Sequence, residues 1–361
     1  MGKIVRALRW VSAAHTRSIH QPIHAPMSLS SALRSPAILF SAAGLALAGA
    51  ARAQTIFVAD PNGTNGVRSY NINGTLLNSS LVSGDGFQGL ALSGTTLYIA
   101  DASSGAASIR KATLDSTGAV VSTGTLAFGD GITGLTSPFG LTATGTHLYA
   151  ANFNSGNVFK YDFSGTQVNT LSTSNSNSGI SPAPYGVAIS GDTLFVSQAT
   201  TGTGANTIKG YSLTTLSSTP TMTLTTNLSN PHGLAISGNT LYVANGGSGV
   251  ANGTIETFNA TTGASTGTLV SSLGMPQGIT VYGSSLFVTG GDGTVKGFNR
   301  SDGSALAGFT TITGLSSPHG IVIGEMSAIP EPSTYAAIAG AAMLGLAVWQ
   351  RRRKSAAALA A

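Results

Sequence analysis

The sequence predicts an all-β, six-bladed β-propeller, closed into a ring by its C-terminal strand and flanked by an N-terminal signal segment and a C-terminal hydrophobic helix. Three observations carry this. A strand–turn–strand unit recurs along residues 54–326; its copies are spaced as propeller blades are; and the two incomplete copies stand at opposite ends of that body.

The chain begins with a polar, basic stretch and then an apolar run from Ala37 to Ala50, with Arg34 before it and Ala51-Arg52-Ala53 after it. That small-x-small ending is a signal-peptidase site, with Ala51 and Ala53 as its recognition residues and Gln54 as the first residue of the mature chain. Residues 1–53 are therefore read as a leader, and Met27 begins a signal peptide of ordinary length.

The body follows. Pro231-His232-Gly233-Leu234-Ala235-Ile236-Ser237-Gly238-Asn239-Thr240-Leu241-Tyr242-Val243-Ala244-Asn245 recurs with variations from Pro138, Pro184 and Pro276, and from Phe87 without the proline. The anchoring glycines 89, 140, 186, 233, 278 and 320 are 51, 46, 47, 45 and 42 residues apart, a blade's length. Within a unit, Gly-Leu-Ala-Ile-Ser reads as a strand, Ser-Gly-Asn-Thr as a tight turn and Leu-Tyr-Val-Ala as the returning strand. Alternating segments such as Asn157–Asp162 and Thr294–Phe298 supply a third strand, and a fourth, outer strand completes the blade. The second-strand motif begins at Phe57, Leu97, Leu148, Leu194, Leu241 and Leu286. Its first copy lacks a preceding first strand, whereas Pro318-His319-Gly320-Ile321-Val322-Ile323 lacks a following second strand. The two complete one another, and ring closure protects edges that would otherwise be exposed.

Residues 327–361 form a different kind of segment. Ile329-Pro330-Glu331-Pro332-Ser333-Thr334-Tyr335 leads into an apolar run read as a short membrane helix over 336–350, and Arg351-Arg352-Arg353-Lys354 follows. The prolines stop regular structure, and the arginines stay cytoplasmic by the positive-inside rule. The three elements, in this order, resemble the PEP-CTERM sorting signal. That resemblance implies an exosortase and signal peptidase as partners, inner-membrane attachment through the tail before processing, and a destination in the cell envelope or extracellular matrix; a tail left uncut would be a permanent inner-membrane anchor.

Charge distribution removes one class of function. The chain carries 17 basic and 12 acidic residues, but ten of the basic ones lie in the two end segments. Seven basic against 11 acidic residues leave the body with a net charge of −4, which gives no electrostatic reason to bind nucleic acid. With no cysteine, thiolate metal sites, disulfides and cysteine nucleophiles are excluded as well. A composition of 48 glycines, 42% hydrophobic and 8% charged residues fits many short strands and turns rather than disorder.

The residue before each anchoring glycine is expected to face the central channel. Those residues are Gln88, Phe139, Tyr185, His232, Gln277 and His319, and they are the candidate ligand-binding ring. A second set, Asp60, Asp101, Asn152, Gln198, Asn245 and Gly290, ends the second strands and is the other polar set expected near the pocket. His232 and His319 lie two blades apart, so both imidazoles could face one ligand or a divalent cation, although a metal normally takes three or four protein ligands. Glu256 is read as solvent-facing on a third strand. Asp60-Pro61-Asn62-Gly63-Thr64-Asn65-Gly66 spaces oxygen ligands loosely like a calcium loop but lacks a bidentate glutamate and reads as a turn.

The Pro-x-Gly-Leu-Ala-Ile and Leu-Tyr-Val-Ala-Asn patterns resemble NHL-type propellers and their relatives, the streptogramin lyases and the gluconolactonase group. The resemblance implies the propeller fold, a histidine in the channel for the lyases, and a carboxylate-and-amide cation site for the lactonases. No glutamate of this body matches that cation motif. The expectation is an exported binding module with a polysaccharide, peptide or polymer ligand; the alternative is a secreted metal-dependent lyase or lactonase using the channel mouth. No catalytic residue is assigned.

Overall fold

The computed structural model describes residues 53–62, 65–103, 107–125, 135–173, 183–199, 206–247 and 252–326, together with 343, 345 and 349–351. The expected leader with Ala51, and the Pro330-Glu331-Pro332 motif with Arg352 and Arg353, lie outside the described residues. Met343, Gly345 and Trp349–Arg351 are helical. Among the described residues no helix is long and apolar enough to cross a membrane.

Among the described residues, twenty-three strands form six antiparallel sheets. Blade 1 holds β1 (Ala53–Ala59), β2 (Val67–Asn71) and β3 (Leu76–Val82). Blade 2 is β4 (Phe87–Ser93), β5 (Thr96–Asp101), β6 (Ser108–Leu114) and β7 (Val120–Thr125), and blade 3 is β8 (Pro138–Ala143), β9 (His147–Asn152), β10 (Asn157–Asp162) and β11 (Gln167–Ser172). Blade 4 is β12 (Ala183–Ser190), β13 (Thr193–Ala199), β14 (Thr207–Ser212) and β15 (Met222–Leu224). Blade 5 is β16 (Pro231–Ser237), β17 (Thr240–Asn245), β18 (Gly253–Asn259) and β19 (Ser265–Leu273), and blade 6 is β20 (Pro276–Tyr282), β21 (Ser285–Gly290) and β22 (Thr294–Asn299). The last strand, β23 (Ile321–Met326), pairs with β1 and becomes the innermost strand of blade 1, with Phe57 opposite Val322 and Ala53 opposite Met326. The expected ring closure is therefore present.

Alternation builds the core. Each strand presents successive side chains to opposite faces, and each face packs against a neighbouring blade, so the apolar interior is divided into six wedges rather than gathered into one centre. One wedge joins Phe57 and Val67 of blade 1 to Phe87, Leu97 and Ile99 of blade 2. Another joins Phe287 and Val295 of blade 6 to Ile56, Val58 and Ile321 of blade 1 and so seals the ring. The turn between first and second strands needs a left-handed residue, supplied in blade 5 by Gly238 at φ +57°.

Blade 6 departs from the four-strand expectation. Its sheet has three strands, and the following segment makes only isolated bridges, Val295 with Ile312 and Phe298 with Ala305. Ile312 and Leu315 are nevertheless buried in the wedge between blades 6 and 1. The Thr310 N–H donates to the Asn73 carbonyl at 2.9 Å, so this segment laces the closing blades together instead of extending a sheet.

Candidate ligand site at the channel mouth

The ring residues owe their position to a repeated β-bulge. In blades 2 to 6 the pairing of first and second strands shifts register where the ring residue and its glycine occur: between Phe87 and Leu90, Pro138 and Leu141, Pro184 and Val187, Pro231 and Leu234, and Pro276 and Ile279. Blade 1 does the same across the closure, where His319 N–H donates to the Ala59 carbonyl at 3.0 Å and Ala59 N–H donates to the Gly320 carbonyl at 2.9 Å. Two residues thus oppose one, which re-aims the side chain of the first. The second must be glycine. A Cβ on Gly89 would collide with the Phe139 carbonyl, on Gly140 with that of Tyr185, on Gly186 with His232, on Gly233 with Gln277, on Gly278 with His319, and on Gly320 with Gln88. Each glycine therefore seats the next blade's ring residue, and the series returns to its start.

The side chains so presented form a mouth with two unlike halves. On one side Phe139 lies 4.6 Å from Tyr185 between ring centroids, and Phe153, which follows β9, lies 5.2 Å from Phe139 and 5.6 Å edge-on to Tyr185. His232 stacks on Tyr185 at 4.2 Å and 15°. On the other side His319 Nδ1 is hydrogen-bonded to Gln88 Oε1, and Gln277 completes the circle. His232 and Gln277 are buried, and His232 Nδ1 and Gln277 Oε1 have no hydrogen-bond partner among the described residues. Behind the mouth runs a channel of about 340 Å³ bounded by the innermost strands of all six blades, with Gln88, Phe139, Tyr185, Gln277 and His319 in its wall and, among the described residues, no Asp, Glu, Lys or Arg. His232 does not line the channel; it backs Tyr185.

Burial sets the electrostatics. It pushes His232 down to about 4, with the charge of His319 as the second cause, while Gln277 and the Pro276 backbone oppose the shift weakly. His319 is likewise lowered to about 4 by burial, against a small opposite pull from Asp60. Burial raises the Tyr185 phenol to about 12. At neutral pH His232, His319 and Tyr185 are therefore all uncharged.

The second polar set has a different task from the one expected. Asp60 accepts the Ser316 and Ser317 N–H groups, Asn152 Oδ1 those of Thr136 and Ser137, and Asn245 Oδ1 that of Ser229. Each fixes the loop that enters the first strand of its own blade, and none lines the channel. Gln198 Nε2 similarly donates to the Thr173 carbonyl at 3.0 Å. The two acids of the set each have a cationic partner on the third strand: Asp60 lies 3.4 Å from Arg68 and Asp101 2.5 Å from Arg110, whereas the third-strand positions matching those arginines are Phe159 in blade 3 and Glu256 in blade 5. The Asp60 carboxylate is thus held by two backbone donors and a guanidinium, in keeping with the turn reading of residues 60–66.

Glu256 corrects a sequence expectation. It is buried, not solvent-facing, and both carboxylate oxygens accept from the Thr268 hydroxyl at 3.0 Å. Val243 opposite it belongs to the wedge between blades 4 and 5, so its face of β18 is covered. Strand alternation alone could not show which of the two faces a neighbouring blade would cover there. No groups of three or more metal-ligating side chains occur among the described residues.

Sequence reasoning missed Ser197 and Thr289. Both are buried opposite the bulge. Ser197 Oγ accepts from Gly186 N–H at 2.7 Å and donates to the His232 carbonyl at 2.5 Å, and Thr289 Oγ1 does the same for Gly278 N–H and the His319 carbonyl at 2.7 and 2.8 Å. The signal was present: four of the six matching positions are alanine (59, 100, 151 and 244) and only these two carry a hydroxyl.

No protein-family profile matches the chain, and no curated protein matches it. Solved structures do. The crystal structure of a nidogen/laminin complex has a chain 17% identical, with 76% of this chain and 99% of that one covered and a TM-score of 0.58. A computationally designed protein, Ika8, is 17% identical over 75% of this chain and 78% of that one, with a TM-score of 0.45. The hydrazine synthase of Kuenenia stuttgartiensis is 19% identical over 59% and 63%, also at 0.45. The first of these likenesses is one of fold: the body is a six-bladed β-propeller.

Proposed function

We propose that this chain is an exported propeller that works as a binding module at the cell surface or in the extracellular matrix, taking a glycan, peptide or polymer ligand at the channel mouth. The observation that carries the reading is the convergence of ring side chains from five blades, Phe139 and Tyr185 among them, on a channel whose described wall carries no Asp, Glu, Lys or Arg. Such a wall offers contact area and hydrogen-bond edges. Among the described residues its wall holds no carboxylate to act as acid or base, and Asp60 and Asp101 are bound to Arg68 and Arg110. A related fold in a nidogen/laminin complex is compatible with a binding role.

Export rests on the sequence: the apolar segment ending at Ala53, and the Pro330-Glu331-Pro332, apolar run and Arg351-Arg352-Arg353 series that resembles a PEP-CTERM signal. The NHL-like patterns support a lyase or lactonase as the second reading, with His232 and His319 as ligands or acid–base groups. Two imidazoles and two amides are a poor donor set for a divalent ion. One comparison tests the choice: metal content and thermal stability with added divalent ions, for the purified chain and a His232→Ala, His319→Ala double variant. A stoichiometric ion lost in the variant would replace the binding reading by the enzymatic one. A melting temperature indifferent to divalent ions, with polymer binding that depends on the mouth, is the expected result.

A further inference from the structure

The two halves of the mouth define a ligand chemistry. Phe139 and Tyr185 present aromatic surface backed by Phe153 and by the stacked His232. Against them, with the His319 ring 6.1 Å from that of Phe139, Gln88, Gln277 and His319 present amide and imidazole edges. A ligand that fits both must have a flat apolar face and a polar rim at once. Channel walls without a formal charge add a second condition, because an ionised group entering there would lose hydration and meet no counter-charge. A peptide meets the first condition only at particular side chains. A sugar ring meets it everywhere, since its C–H groups make an apolar face and its hydroxyls lie around the edge.

We propose that the channel mouth binds an uncharged sugar ring, with its C–H face against Tyr185 and Phe139 and its hydroxyls served by Gln88, Gln277 and His319. This rests on the reading of the mouth as a binding site and narrows it to one ligand class. Aromatic side chains supply large, stiff contact area, and amides supply both donors and acceptors, which hydroxyls require. His232 is a positioning residue: stacked at 4.2 Å behind Tyr185 and buried, it fixes the plane of the phenol ring without touching ligand. A channel of about 340 Å³ is at the small end of ligand pockets, so the site takes the end or a short stretch of a glycan rather than a bulky branched one.

The test is binding of the full chain to an array of neutral, acidic and amino-sugar oligosaccharides, followed by titration calorimetry of the best neutral binder, a cello- or malto-oligosaccharide for example. Affinity should fall tenfold or more in Tyr185→Ala and in Phe139→Ala, and stay within twofold in Val168→Ser, which alters an exposed outer strand. Gln88→Ala, which removes no aromatic packing, is the second variant should the aromatic ones melt early; it should weaken the neutral sugar at least threefold. Two results would overturn the proposal in different ways. If acidic or amino sugars, or a peptide, bind with the same dependence on Tyr185 while neutral sugars do not, the mouth is a binding site and the ligand class is wrong. If no ligand on the array depends on Tyr185, Phe139 or Gln88, the reading of the mouth as the site fails with it.

Discussion

At the scale of single residues, the mouth binds stability to pH through its two imidazoles. Both are lowered from the usual 6.5 to about 4 by burial, so the unfolded chain takes up protons more readily than the folded one between those values. Stability is therefore complete above pH 6.5 and is lost as pH falls toward 4. The loss is up to about 3 kcal/mol for His232 and less for the more exposed His319. Chemical denaturation from pH 7.5 to 4 should show this slope, and His232→Asn with His319→Asn should flatten it; an unchanged slope would mean the imidazoles titrate normally. A buried phenol gives a second prediction. Tyr211 Oη has no hydrogen-bond partner among the described residues, and Phe258 and Phe298 stand at the matching third-strand positions in blades 5 and 6. Tyr211→Phe should raise stability by about 1 kcal/mol, because burying an unpaired hydroxyl costs about 1–3 kcal/mol; a fall in melting temperature would show that the hydroxyl is satisfied.

At the scale of elements, the bulge in each first strand is the device that makes the mouth. Gly278→Ala would force a Cβ onto the His319 carbonyl, which is backbone and cannot swing away. The variant should lose more than about 4 kcal/mol or fail to fold, in the range reserved for severe steric faults. Ser197→Ala removes one acceptor and one donor between blades 4 and 5 and should cost about 1–3 kcal/mol. It should still fold, since four blades carry alanine at that position. Thermal melts of the two variants check both magnitudes, and equal effects would mean that the glycine is not under steric constraint. The bulges were legible only in part. A glycine inside a strand pattern signals a bulge or a close backbone approach, yet which of the two applied depended on the neighbouring blade's carbonyl, which lies some 45 residues away.

At the scale of the molecule, the ring is held shut by β23 on β1 and by the wedge of Phe287, Ile56 and Ile321. A chain ending before β23 should lose cooperative unfolding, whereas one ending at Met326 should melt like the whole; calorimetry distinguishes them. The same pairing sets Ala53 opposite Met326, at the end of the blade away from His319. Ala53 and Met326 therefore lie on one face of the propeller, and the ring residues lie on the other. Under the sorting proposal, the mouth points away from the membrane. Because the chain has no cysteine, Asp85→Cys on the mouth face and Thr95→Cys on the opposite face can be compared for labelling by a bulky, impermeant thiol reagent. Faster reaction at Asp85→Cys in membrane-held protein is expected, and equal rates would remove the orientation.

By itself, the sequence determined the repeated strand–turn–strand unit, the six repeats and the closure of the two orphan strands. These follow from local periodicity, turn chemistry and chain order, which a repeat writes out several times over. Tertiary structure alone decided that Glu256 is buried, that Asp60, Asn152 and Asn245 hold loops rather than ligand, that Ser197 and Thr289 latch neighbouring blades, and that blade 6 lacks a fourth strand. Each of those depends on which surfaces from distant parts of the chain meet across a wedge. A strand's pattern shows that it has two faces, but only its neighbour decides which face is dry.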